Sequence, residues 1–225
     1  MKEKISFRDS RFYPVFFMVI LSAILTFILA FSYQLSKDRV QMYQELSLQT
    51  NLLDLYKGEI SELNNKLIND FTPDEINKLY KKYITKRELQ NPLGFQYYEF
   101  NKDGQLTGYV FPVSAKGLWS TIKLLVAVEP DFSNYLGIKI IDQGETPGLG
   151  ARITEDWFQE QFTGKRFHQG DKFFKLQMIE EGEEPEADQV SQITGATVSS
   201  KAVITAIQNE LGILYKQNFS SGKDN

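Results

Sequence analysis

From Val15 to Tyr33 the chain reads VFFMVILSAILTFILAFSY, an apolar run without one charged side chain. Its length matches the roughly 20 residues a helix needs to cross a hydrocarbon core, which predicts a transmembrane helix over 15–34. Lys2, Lys4, Arg8 and Arg11 lie before it, while Lys37 and Arg39 open a large following domain. Large domains translocate largely regardless of charge, so the basic tail sets orientation. A cytoplasmic tail over 1–14 and an extracytoplasmic remainder are expected. Ala30-Phe31-Ser32 loosely imitates a signal-peptide cleavage site, but the run is longer than a typical signal-peptide core. The reading adopted is an uncleaved, single-pass anchor in contact with membrane lipid.

Between Leu35 and Leu89 the apolar positions change to helical spacing, with Leu46, Leu53, Tyr56, Ile60, Leu63 and Leu67 separated by polar residues. A helical segment over 35–90 follows, broken near Gly58 and again at Thr72-Pro73. Thr72 has the form of an N-cap, followed by proline and two acids in the first turn, so a second helix is expected from there to about Lys86. This region is either a stalk seated against partner subunits or a layer over the domain's own sheet.

Beyond Asn91-Pro92 the period shortens to that of strands. Phe95–Phe100 and Gln105–Val113 flank Asn101-Lys102-Asp103-Gly104 and read as a hairpin. Thr121–Val128 and Tyr135–Ile141 flank a turn at Pro130-Asp131 and read as a second strand pair. Glu155–Phe162 suits a short helix with Trp157, Phe158 and Phe162 inward. Phe173–Ile179 suits a strand, Glu180–Asp188 a solvated acidic loop, and Ser199–Tyr215 a final helix burying Val203, Ile204, Ile207, Leu211 and Leu214. The fold class is therefore α+β, a mostly antiparallel sheet with flanking helices, preceded by one N-terminal transmembrane helix. The extracytoplasmic domain is placed at 91–217, with a disordered tail over 218–225.

Composition narrows the chemistry. With no cysteine, the chain has no disulfide, thiolate metal site or iron–sulfur ligation. Its one histidine, His168, sits in what reads as a surface turn, which leaves no histidine cluster for a metal. A net charge of -4 gives no electrostatic reason to expect a nucleic acid. No metal ligands and no catalytic residues are assigned, so any redox role needs an organic cofactor.

Three segments stand out. Thr194-Gly195-Ala196-Thr197 lies directly before the final helix, with Ser199 and Ser200 as candidate caps. Small residues let the backbone approach a ligand, and a helix N-terminus offers unpaired N–H groups to a phosphate; a plain loop-to-helix junction has the same composition. Gly144-Glu145-Thr146-Pro147-Gly148-Leu149-Gly150-Ala151 either opens room for a flat ligand or makes a tight connection, and it lacks the spacing of a dinucleotide-binding fingerprint. Lys116-Gly117-Leu118-Trp119-Ser120 carries an indole that either stacks on an aromatic cofactor or fills the core.

Together these segments resemble the FMN-binding domain shared by the G subunit of the Rnf complex and the C subunit of the sodium-translocating NADH:quinone oxidoreductase. The resemblance spans roughly Tyr97–Leu214 plus the N-terminal span. It implies that a flavin transferase joins FMN through a phosphodiester to the last threonine of the (S/T)-G-A-T motif, here Thr197, with Thr194, Gly195, Ala196 and Ser199 around the linkage. It further implies that Glu145, Thr146, Leu149, Gly150 and Trp119 lie near the isoalloxazine ring. Family members usually carry an acid three residues before the motif's first Ser/Thr. Here Ser191 stands there, and the nearest aspartate, Asp188, lies three residues further upstream. The implied role is that of an electron-transfer subunit in the cell inner membrane. It would have no independent active site and would work within an ion-translocating oxidoreductase that moves sodium or protons. The modest chain length favours the Rnf branch. Alternatives are the NADH:quinone oxidoreductase branch and a cofactor-free extracytoplasmic interaction module.

Overall fold

A computed structural model of the chain describes residues 12–63, 67–89, 95–169 and 172–219. The basic residues before Phe12, the Asn91-Pro92 break and the tail beyond Phe219 lie outside the described residues. The chain divides into two compact units, Met1–Glu45 and Leu46–Asn225.

The described residues of the first unit belong almost entirely to helix α1, which runs over Tyr13–Asp54 and so has its last nine residues in the second unit. No glycine or proline occurs between Val15 and Asp54, so nothing in that stretch interrupts the backbone ladder. The helix is long and apolar enough to cross a membrane: its apolar window has a mean hydropathy of 2.6, and none of that window is buried within the protein. The hydroxyl of Ser22 bonds back to the carbonyl of Met18 at 2.7 Å, an internal partner of the kind a polar side chain needs in hydrocarbon.

The second unit is built on a five-stranded antiparallel sheet of β1 (Ile84–Glu88), β2 (Gln96–Lys102), β3 (Gln105–Lys116), β4 (Thr121–Val128) and β5 (Tyr135–Asp142), in that spatial order. Each strand pairs with the next in sequence. The central pair is held in a register that sets Phe111 opposite Val126 and Val113 opposite Leu124. Strand β4 shows why TIKLLVAV is an unbroken apolar run. Its Ile122, Leu124, Val126 and Val128 face one hydrophobic cluster, and Leu125 and Ala127 face another. A strand covered on both faces has no solvent side on which to place polar residues.

On the first face lies helix α4 (Thr197–Asn218), with Val203, Ile204, Ile207, Leu211 and Leu214 buried, all five as expected. The opposite face is covered by Leu52, Leu53, Tyr56 and Ile60, and by helix α2 (Pro73–Tyr83) through Ile76, Leu79 and Tyr83. The described residues 46–63 and 67–83 are thus a layer on the sheet. Phe100 of β2 anchors it, its ring stacked 3.9 Å from that of Tyr56 and 5.6 Å from that of Tyr83. The N-cap at Thr72 forms as anticipated: Glu75 donates its N–H to the Thr72 hydroxyl at 3.4 Å, and the Glu75 carboxylate accepts the Thr72 N–H at 2.8 Å.

Several local expectations are corrected. Helix α2 stops at Tyr83, and Ile84–Glu88 turns into the edge strand because its pairing with Gln96–Phe100 satisfies a full ladder. Leu67 is exposed. The expected strand over 173–179 is split between β7 (Lys172–Phe173), paired with β6 (His168–Gln169), and β8 (Gln177–Ile179), paired in parallel with β9 (Gln189–Ser191). Helix α3 is only Asp156–Glu160. Phe158 and Phe162 are fully buried, but Trp157 is only partly so and donates its indole N–H to Glu155. His168 is not in a surface turn. It is buried, its ring 4.4 Å from that of Tyr215 and 4.8 Å from that of Phe173.

Replacing Phe100 by alanine empties the contact between the helical layer and the sheet. We expect a loss of about 3–5 kcal/mol of stability, read as a lower midpoint in chemical denaturation of the full chain in detergent.

Candidate functional site

The three singled-out segments come from separate places in the chain: the β3–β4 connection, the loop after β5 and the start of α4. One carboxylate joins them. Glu145 is buried, and its oxygens accept the backbone N–H groups of Leu118 at 3.1 Å, Trp119 at 3.0 Å and Ser120 at 3.0 Å. The hydroxyl of Ser199, in the first turn of α4, donates to the same carboxylate at 2.6 Å, and the Ser120 hydroxyl donates at 3.4 Å. Ser120 Oγ in turn accepts the Gly144 N–H at 2.7 Å, and the Gln143 side-chain oxygen accepts the Glu145 N–H at 2.6 Å.

Backbone must come very close for one side chain to reach three segments. A Cβ on Gly117 would sit 2.5 Å from Glu145 Oε1, and one on Gly150 would sit 2.6 Å from Ser199 Oγ. Glycine is therefore required at both by close approach rather than by turn geometry alone. Burial pushes the Glu145 carboxyl up, but the bonds from Ser199, Trp119, Ser120 and Leu118 together outweigh it and hold the group below the ordinary glutamate value.

Around this hub the remaining candidates divide into inward and outward groups. Ala196 is buried as the N-cap of α4 and offers no side-chain cap. Ser199 and Ser200 are not the caps expected of them, because α4 begins at Thr197. Ser199 turns inward to Glu145, and Ser200 Oγ accepts the N–H of Ile193 at 3.1 Å. Gly150 is buried. Thr146 lies at the surface, and its carbonyl accepts the N–H groups of Leu149 and Ala151, each at 3.1 Å, which folds the loop back on itself. Thr194, Gly195 and Thr197 are exposed, and Gly195 has φ of 77°. Apolar side chains that the core leaves out are exposed in the same three segments and the first turn of α4: Trp119 at 73% exposure, with Leu118, Leu149 and Val198, and a Cβ on Gly195 would sit 3.1 Å from Leu149 Cδ2. Thr197 is thus exposed at the start of a 22-residue helix that has no side-chain cap, where backbone N–H groups and the positive end of the helix dipole are available to an anion.

Sequence reasoning missed a second network. Arg152, in the 3₁₀ turn Gly150–Thr154 that follows the glycine-rich loop, donates Nη2 to Glu181 at 2.9 Å and Nη1 at 3.4 Å. It also donates Nε to Glu155 at 3.3 Å and sits over the Trp157 ring at 5.6 Å. Glu181 accepts the N–H of Thr194 at 2.6 Å. Arg152 first, then Thr194, hold the Glu181 carboxyl down to about 2. Asp188 is not carried to the turn, being bound to Arg166, and Ser191 pairs with Gln161. Nothing in the local pattern of the acidic run distinguishes Glu181 from its neighbours. Its role exists only because β8 and β9 bring residues 179–181 beside 191–194.

Residues 117–212, which contain the glycine-rich loop, the threonine turn and all of the third segment but Lys116, match the FMN-binding domain family. The C subunit of the Na(+)-translocating NADH-quinone reductase of Pasteurella multocida is 37% identical over half of this chain, and the chain spans 43% of that relative's length. The G subunit of the ion-translocating oxidoreductase complex of Methanosarcina acetivorans is 28% identical over 89% of this chain and 92% of its own. The crystal structure of the C subunit of the Na(+)-translocating NADH-quinone reductase from Parabacteroides distasonis superposes with a TM-score of 0.51 at 26% identity, covering 63% of this chain and 81% of that one.

The Glu145 hub has a defined pH signature. Because its folded value is depressed, its contribution to stability is complete above the unfolded value and is lost as pH falls through the folded one. Glu145→Gln removes the charge while keeping the shape. It should cost on the order of 1–3 kcal/mol at neutral pH and flatten the acid limb of the stability–pH curve, measured by denaturation between neutral pH and about pH 3.

Proposed function

We propose that this chain, whose residues 117–212 match the FMN-binding domain family, is the membrane-anchored electron-transfer subunit of an Rnf-type ion-translocating oxidoreductase and carries FMN covalently on Thr197. The observation that carries the reading is the exposed Thr197 hydroxyl at the start of α4. It lies in a turn joined to both other segments through the Ser199–Glu145 bond. A flavin transferase supplies the link. The threonine oxygen bonds to the phosphorus of an activated flavin phosphate, the bond to the donor's leaving group breaks, and the hydroxyl proton departs with that group.

Bound FMN supplies one- and two-electron transfer. The chain's own residues hold and tune it. The N-terminus of α4 offers unpaired N–H groups and the positive end of its dipole to the phosphodiester. Trp119 and Leu149, with Thr146 of the loop, would hold the ring at the surface, while buried Gly150 lets the loop pack against Glu145 and Ser199. Glu145 acts from behind, fixing the backbone of 118–120 against the helix start. The covalent tether keeps the local flavin concentration high where no free pool replaces a lost cofactor. We assign helix α1 as the single-pass anchor in the cell membrane, with the basic tail cytoplasmic and the flavin domain extracytoplasmic. Electrons then pass between other subunits of the complex, and ion movement belongs to the assembly, since the span carries no charge of its own.

The near end-to-end correspondence with the Methanosarcina G subunit favours the Rnf branch. The higher local identity to the Pasteurella C subunit supports the NADH:quinone oxidoreductase as the second reading. The proteins that copurify from native membranes separate the two.

With an active transferase present, the intact chain should gain the mass of one FMN less water and stay yellow after denaturation. Thr197→Ala should abolish the gain, and a colourless wild-type chain would refute the assignment. Trp119→Ala should leave the covalent flavin in place but change its fluorescence and midpoint potential, because only the stacking surface is altered.

A further inference from the structure

The turn that presents Thr197 is anchored at its two ends by different carboxylates. On the helix side, Ser199 is bound to Glu145. On the entry side, the backbone is tied at Gln192, whose N–H donates to the Ile179 carbonyl at 2.8 Å, and at Ile193, whose N–H donates to Ser200 Oγ at 3.1 Å. Thr194, the first residue of the turn, is fixed by Glu181 through its N–H at 2.6 Å. Neighbouring Glu180 accepts the side-chain amide of Gln192.

Glu181 does not act as a loose surface acid. Arg152 grips it with Nη1 and Nη2 while its Nε is held by Glu155 and its plane lies over Trp157. A guanidinium fork held at both ends orients a carboxylate in a way a lysine does not. Arg152 begins one residue after Ala151 of the glycine-rich loop. The chain Arg152–Glu181–Thr194 therefore couples that loop to the modified turn by a route independent of Glu145.

We propose that Glu181, oriented by Arg152, is a positioning residue for modification of Thr197. It holds the entry of the turn so that the threonine hydroxyl stands free at the surface in the geometry a transferase needs. The proposal rests on the assignment of Thr197 as the flavin attachment site. Glu181 touches neither the reacting oxygen nor the phosphate; it acts through the Thr194 N–H. Displacement of a reacting group by about 1 Å costs on the order of 100-fold in rate, so losing this tie should slow flavin incorporation by roughly 10- to 100-fold.

The test follows flavin incorporation with time in the full chain in detergent, using purified transferase and a flavin dinucleotide donor, by the mass of the peptide containing Thr197. Glu181→Ala should be slow. Glu181→Gln, which keeps an acceptor for the Thr194 N–H, should recover part of the rate. The exchange Arg152→Glu with Glu181→Arg restores an ion pair but sets a donor against the Thr194 N–H. It should recover Tm while incorporation stays slow. Wild-type incorporation in Glu181→Ala, or recovery of rate along with Tm in the exchange, overturns the proposal and leaves the Thr197 assignment standing. A wild-type chain that remains bare at Thr197 sinks both.

Discussion

One buried carboxylate organises the face of this protein. Glu145 satisfies backbone donors from the β3–β4 connection and a hydroxyl from the first turn of α4, so three stretches far apart in sequence become one surface. A charge removed from water is tolerated only when its oxygens are fully engaged, and here the engagement is with the segments that must be held together. The two closest glycines follow from the same constraint, because any larger residue at Gly117 or Gly150 would displace the carboxylate or the serine it holds. Thr197 and the side chains of Leu118, Trp119, Leu149 and Val198 remain exposed on these segments.

The rest of the domain supplies rigidity for that arrangement. The sheet is covered on both faces, by α4 on one and by the layer of residues 46–63 and 67–83 on the other, so β4 and its neighbours are held between two hydrophobic clusters. Helix α4 does double duty: its buried side packs on the sheet, while its first turn carries Thr197 and the Ser199 hydroxyl that binds Glu145. Any tilt of α4 would cost core packing, which is why the position of Thr197 is as firm as the core beneath it. The Arg152–Glu181 network adds a second, charged tie where the apolar core does not reach.

Much of this was legible in the residues. Short apolar runs of strand length and the turn residues between them located β2 to β5 closely, and a helical stripe named all five buried apolar positions of α4 expected from it. The cap at Thr72 was readable because capping is a contact within four residues. Failures came where distant partners decide. Ile84–Glu88 has helical neighbours but joins the sheet because β2 offers a ladder. His168 has turn-like neighbours but is buried because Phe173 and Tyr215 close over it.

The amino-acid sequence alone determined a helix capable of spanning a membrane, an antiparallel sheet with flanking helices, and the threonine turn and glycine-rich loop as the segments of interest. These depend on periodicity, local turn chemistry and a motif, all of which are encoded in consecutive residues. Only the tertiary structure decided that Glu145 faces inward as a tie rather than outward, that Ser199 is its partner rather than a cap, and that Glu181 rather than Asp188 meets the turn. Hydrogen bonds between residues tens of positions apart depend on where the packed sheet and helices carry them, and no local pattern records that path.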